Sequence, residues 1–204
     1  MRTPFSLYLV SPEQHFETER TVVLELLNGG LEAYHLRKPD WSVGIMRAWL
    51  QSVPVNLHGK IILHSHFALS KEFGILGIHL NENNRKLISE LGDYRIISTS
   101  FHSLKDITEN SFSYDYVFLS PIFDSISKAG YTSNFDLNGL AIDLADLSTK
   151  TVPPIVALGG ISAKNIQLIQ KSGFSGAALL GAIWQSENPV KAFLEIQSII
   201  NTSS

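Results

Sequence analysis

The chain has 204 residues, a formal charge of −3 and 44% hydrophobic residues. That suits one globular domain, 1–204, with a sizeable core; the missing basic excess argues against a nucleic-acid or membrane-surface partner. Cysteine is absent, which excludes disulfides, thiolate zinc sites and a cysteine nucleophile. No run approaches the ~20 apolar residues of a membrane span, and the N-terminal apolar patch is too short for a signal sequence, so the cytoplasm is the expected location.

Short apolar runs of strand length recur along the chain. In order they are 5–11, 31–37, 60–65, 74–80, 95–102, 114–122, 154–160 and 176–183. Between them lie stretches with helical spacing. "TERTVVLELLNGG" places Val22, Val23, Leu26 and Leu27 on one side and stops in glycines. "DWSVGIMRAWLQSV" and "NNRKLISELG" read the same way. "SAKNIQLIQKSG" has Ser162 as its N-cap candidate, and "NPVKAFLEIQSIIN" carries Pro189 in its first turn. Strands alternating with helices indicate a parallel α/β architecture. Eight units favour a single compact (β/α)₈ TIM barrel, near the short end of the size range for that fold. The one long irregular insertion is 123–140, of the length that often forms a lid or binding loop.

In such a barrel the active site lies where strands end and the following loops begin. Ser11, His35, Arg37, Lys38, His64, Ser65, His66, His79, Asn81, Ser100, His102 and Ser120 fall at those ends. The last two runs pass into small residues, Gly159–Gly160 and Gly181–Ala182. There backbone N–H groups can approach an anion at the start of a helix, so these turns are the phosphate-binding candidates. Lys128 with the hydroxyls of Ser125 and Ser127 suits phosphate oxygens or an anionic substrate. Arg37 can hold a carboxylate or phosphate in bidentate fashion, or pair with a neighbouring acid. His64 and His66, two apart on a strand, point to one face. Transition-metal sites of that kind need further ligands; His79 and His102 are available, but no strand-end Asp follows on the last strand, so no metal site is assigned.

The ordered motifs resemble the thiamine phosphate synthase and thiazole tautomerase superfamily over nearly the whole chain. "YLVS", "YHLRKP", "GILGIHLNENN", "STSFHS", "YDYVFLSPIFDSISK", "PIVALGGISAKNI" and "GAALLGAI" occur in the family's order. The resemblance implies a (β/α)₈ barrel binding a phosphorylated thiazole in thiamine biosynthesis. A synthase joins a pyrimidine-methyl diphosphate to the thiazole nitrogen, with Mg²⁺ neutralising the departing diphosphate. The family's Asn-Asp pair after the third strand reads His64–Ser65 here, and its Asp after the fourth reads Asn84. Its Gln-Leu-Arg-x-Lys reads His35-Leu36-Arg37-Lys38-Pro39. Mg²⁺ prefers carboxylate oxygens, so these departures weaken the expected Mg–diphosphate site.

The leading expectation is therefore a tautomerase-like isomerase with no cofactor, in which His102 matches the catalytic histidine and shuttles a proton. His35, Arg37, His64, Ser65, Ser125, Ser127 and Lys128 are its substrate contacts, and Gly159, Gly160, Leu180 and Gly181 hold the phosphate. The alternatives are a thiamine-phosphate synthase, a transferase using Mg²⁺; a binding protein without turnover; and a metal-dependent hydrolase using His64 and His66. The partner is a small phosphorylated thiazole, and a homo-oligomer is left open.

Overall fold

The computed structural model describes residues 5–14, 16–86, 92–123, 137–147 and 151–202. Eight strands, β1 (Ser6–Val10), β2 (Ala33–Leu36), β3 (Ile61–Leu63), β4 (Gly77–Leu80), β5 (Ile97–Phe101), β6 (Tyr116–Leu119), β7 (Ile155–Leu158) and β8 (Gly176–Leu179), follow one another in chain order around a closed barrel. Every neighbouring pair is parallel, β8 closing on β1 through Tyr8 opposite Ala178. The expected (β/α)₈ barrel is present.

Side chains on a strand alternate between faces, and that alternation builds two cores. The outward set, with Leu7, Leu9, Tyr34, Leu36, Ile61 and Val117 among it, packs under the helices. The inward set includes Tyr8, Val10, Ala33, Ile62, Tyr116, Phe118, Val156 and Ala178. Parallel strands buried on both faces read as continuous apolar runs, which is why eight such runs appear in the sequence.

The helices are α1 (Glu19–Asn28), α2 (Val43–Gln51), α3 (Val55–His58), α4 (Ala68–Phe73), α5 (Leu104–Glu109), α6 (Leu137–Leu147), α7 (Ile166–Lys171), α8 (Gly181–Trp184) and α9 (Pro189–Asn201). α1 buries Val22, Val23, Leu26 and Leu27, as its spacing requires. In α2 the Ser42 side chain accepts from the Ile45 N–H, and in α9 the Asn188 side chain accepts from Lys191 N–H ahead of Pro189.

Three expectations change. Ser162 caps no helix: its N–H donates to the Asn165 side chain at 2.8 Å, and Asn165 is the N-cap of α7. The last apolar run, 176–183, is strand only to Leu179, and Gly181–Trp184 is helical. Apolarity alone cannot separate a buried strand from the buried start of a helix. The insertion 123–140 ends in helix, since α6 starts at Leu137. Of the expected helix 83–92, residues 87–91 lie outside the described residues, as do 124–136 and His15.

Candidate active site

Because all eight strands run the same way, their C-terminal ends share one rim. Register carries three histidines into the barrel mouth. His35 on β2 lies opposite Val10 and Ile62, His79 on β4 lies opposite Ser98, and His64 follows directly on β3. His35 Nδ1 and His64 Nε2 are 3.0 Å apart. The His64 and His79 rings stack at 4.3 Å, and one ring nitrogen of each of the three falls within 4.8 Å of the others.

The floor beneath them is aromatic. His35 meets Tyr8, Tyr116 and Phe118, and its Nε2 lies 2.8 Å from the Tyr116 hydroxyl. His79 is held from both sides, Nδ1 at 2.9 Å from Ser98 Oγ and Nε2 at 2.9 Å from Ser100 Oγ. The Ser98 hydroxyl donates to Ile78 O at 3.4 Å, so its oxygen accepts from His79 Nδ1–H. The Nε2 lone pair of His79 then accepts from Ser100.

Burial keeps this cluster neutral. His35 and His79 are buried and His64 half-buried. Desolvation first, then the His79 charge, holds His35 well below the ordinary imidazole range. Desolvation, His79, His35 and Arg37 do the same to His64. Desolvation, then Arg85 and Arg37, push His79 down to about 3. Burial also raises Tyr116 well above the ordinary phenol value, so it remains a hydroxyl.

The His64–His66 pairing does not form. β3 stops at Leu63, so strand alternation ends before the motif. His66 takes a left-handed backbone (φ 52°) and its Nε2–H donates to Trp41 O at 2.7 Å. Ser65 Oγ, beside His64, is buried without a hydrogen-bond partner among the described residues. His102 is exposed; its Nδ1–H donates to Ser120 O at 2.8 Å, which leaves Nε2 as the nitrogen available to a substrate. It lines a cleft of about 400 Å³ with Arg85, Lys86, Phe101 and Asp106. Arg37 is half-exposed and paired with Glu13 at 2.5 Å, the neighbouring-acid alternative of the sequence reading. Lys38 is buried, its Nζ 2.7 Å from Glu19 and 2.6 Å from Pro12 O. It braces the loop after β1.

On the other side of the rim Gly159 (φ 102°) and Gly160 (φ 62°) turn out of β7, and Leu180–Gly181 turn out of β8. Leu158 pairs with Ala178, so the two turns lie side by side. A Cβ on Gly159 would lie 2.8 Å from Pro121 Cα, so only glycine fits there. Ser125, Ser127 and Lys128 lie outside the described residues. At the positions where the resemblance implies Mg²⁺ ligands, Ser65 offers a hydroxyl, and the Asn84 side chain accepts from the Asn81 N–H at 2.6 Å. Neither supplies a carboxylate, so these two residues do not fit a Mg²⁺ site.

A family model described as thiamine monophosphate synthase matches residues 7–183. The thiamine-phosphate synthase of Vibrio parahaemolyticus is 29% identical, the match covering 97% of this chain and 98% of that protein. That of Bacteroides fragilis is 30% identical over 86% of this chain and 88% of its own length. The crystal structure of thiamine phosphate pyrophosphorylase from Bacteroides thetaiotaomicron superposes with a TM-score of 0.83 at 30% identity, covering 98% of this chain and all of that one. With a match running from the first strand to the last rim turn, the chain belongs to the thiamine monophosphate synthase family.

Proposed function

We propose that the protein is a thiamine-phosphate synthase, a transferase joining a pyrimidine-methyl diphosphate to a thiazole phosphate. The thiazole nitrogen forms a bond to the pyrimidine methylene while the methylene–oxygen bond breaks and diphosphate leaves. The observation that carries this reading is the family match over the whole barrel, between chains of nearly equal length whose curated relatives bear the synthase name. The backbone N–H groups at Gly159, Gly160, Leu180 and Gly181 hold the thiazole phosphate. His35, His64 and Ser65 form the polar wall of the pocket. Arg37, Ser125, Ser127 and Lys128 meet the remaining anionic groups. The substrates are small and water-soluble, which suits a cytoplasmic enzyme; among the described residues no helix is long and apolar enough to cross a membrane.

The tautomerase expectation finds no support among these relatives. A second reading is still favoured by one observation: Ser65 and Asn84 stand where carboxylates are expected. It is proton transfer on a carboxythiazole phosphate by His102 Nε2, or binding without turnover. The deciding experiment pairs two assays of the purified chain. One supplies pyrimidine-methyl diphosphate, thiazole phosphate and Mg²⁺; the other supplies carboxythiazole phosphate alone. Equal yields of thiamine phosphate and diphosphate in the first are the expected result. Isomerisation in the second without condensation in the first would replace the synthase reading, and saturable binding with no product in either would leave a binding protein.

A further inference from the structure

Three imidazoles from three different strand ends meet at the barrel mouth, and the proposed bond-making step needs none of them as a proton carrier. We propose that His35, His64 and His79 form a binding site for one borderline divalent cation of the zinc, cobalt or nickel class. The inference does not rest on the proposed reaction, because its readout is metal binding by the chain itself.

The donor set fits that class. Neutral imidazole nitrogen suits zinc, nickel and cobalt, whereas Mg²⁺ demands oxygen. His35 Nδ1 and His64 Nε2 face each other at 3.0 Å, so one must carry a proton toward the other's lone pair. A cation replaces that proton. Tetrahedral zinc with Zn–N distances of about 2.0–2.1 Å sets neighbouring nitrogens about 3.3 Å apart, so the pair opens by a few tenths of an ångström. Ser98, accepting from His79 Nδ1–H, leaves Nε2 as the lone-pair nitrogen of that ring, and the Ser100 hydroxyl that donates to it at 2.9 Å would turn aside for the cation.

Outer partners are also in place. Metal-bound imidazoles commonly donate their second N–H to a fixed acceptor. Tyr116 Oη stands 2.8 Å from His35 Nε2 and Ser98 Oγ 2.9 Å from His79 Nδ1. His64 is the half-buried member; its ring stacks on His79 at 4.3 Å and would leave that stack to aim Nε2 at the cation. Three protein ligands leave a coordination position open toward the mouth. From the sequence no metal is assigned because no strand-end Asp follows on the last strand; the His66 paired there with His64 is committed to Trp41 O in the fold.

The test uses the full chain freed of metal by chelation and titrated with Co²⁺ and with Zn²⁺. One equivalent of Co²⁺ with a visible ligand-field band, displaced by one equivalent of Zn²⁺, is expected, and excess Mg²⁺ should not displace it. His64→Asn and His35→Gln should each weaken uptake at least 100-fold, Tyr116→Phe about 10–100-fold, and His66→Ala not at all. A wild-type chain that takes up no stoichiometric Co²⁺ overturns the site, whatever the variants do. Displacement by Mg²⁺, or loss of uptake in His66→Ala with His64→Asn unaffected, overturns it equally.

Discussion

On the β2–β4 side of the mouth stand polar side chains: three imidazoles, a buried lysine and a half-exposed arginine, all projecting from strand ends. On the β7–β8 side it is carried by backbone, with glycines at φ 102° and 62° and the short helix that starts at Gly181. The same parallel strands feed both. Where the site must present nitrogen lone pairs, the strands end in large polar residues whose burial keeps them neutral. Where, on the proposed function, an anion would approach N–H groups, they end in Gly159–Gly160 and Leu180–Gly181. The two halves therefore fail differently: acid should break the first and added bulk the second.

The largest effect follows from protonation. His35, His64 and His79 all sit below their ordinary value of 6.5 in the fold, His79 at about 3. In the unfolded chain they take up protons below 6.5, while in the native chain they do not. The unfolded state thus binds more protons, and stability, complete above 6.5, falls as pH drops toward the native values. Each group adds a slope of about 1.4 kcal/mol per pH unit, so the three together approach about 4. Urea midpoints of metal-free protein between pH 7 and pH 5 should show it, and His64→Asn should flatten the slope by about one group. Identical slopes in the two proteins would mean that His64 does not remain neutral in the fold.

The next effect tests the other half. Gly159→Ala places a methyl 2.8 Å from Pro121 Cα at φ 102°. Left-handed strain and overpacking together should cost roughly 2–5 kcal/mol. Gly74→Ala supplies the control, since Gly74 is left-handed at φ 64° with nothing within 4 Å of its added Cβ; it should lose only about 1–2 kcal/mol. Equal losses in chemical denaturation would show that the contact with Pro121 does not constrain the β7 turn.

These two halves were unequally legible in the sequence. The barrel could be read because eight buried strands leave eight apolar runs, and the glycine turns because a backbone site shows itself by what is missing. The histidine cluster could not. Its members are separated by 29 and 15 positions, and their convergence depends on register around a closed barrel. The local cue, His-x-His, pointed to His66, but β3 ends one residue before the motif and strand alternation no longer applies. Lys38, a strand-end cation in the sequence, is enclosed with Glu19 and Tyr34, a pairing that depends on where α1 docks. Ser65, a substrate contact in the sequence analysis, has a buried hydroxyl with no hydrogen-bond partner among the described residues.

Arg37 gives the smallest effect and the sharpest division between scaffold and ligand. Its pair with Glu13 is half-exposed on both sides, and such pairs contribute about 0–1 kcal/mol. Arg37→Ala should therefore leave the urea midpoint nearly unchanged. If the guanidinium also meets a substrate anion, it loses a charge-assisted bond worth about 1.5–3 kcal/mol, and the dissociation constant for thiazole phosphate rises about 10–150-fold. Glu13→Gln separates the two roles, because it releases the guanidinium without removing it: affinity should hold or improve, with steeper salt dependence. A chain in which Arg37→Ala costs several kcal/mol of stability and leaves affinity intact would make Arg37 a brace of the β1 loop, as Lys38 already is, and would leave the anion to the glycine turns alone.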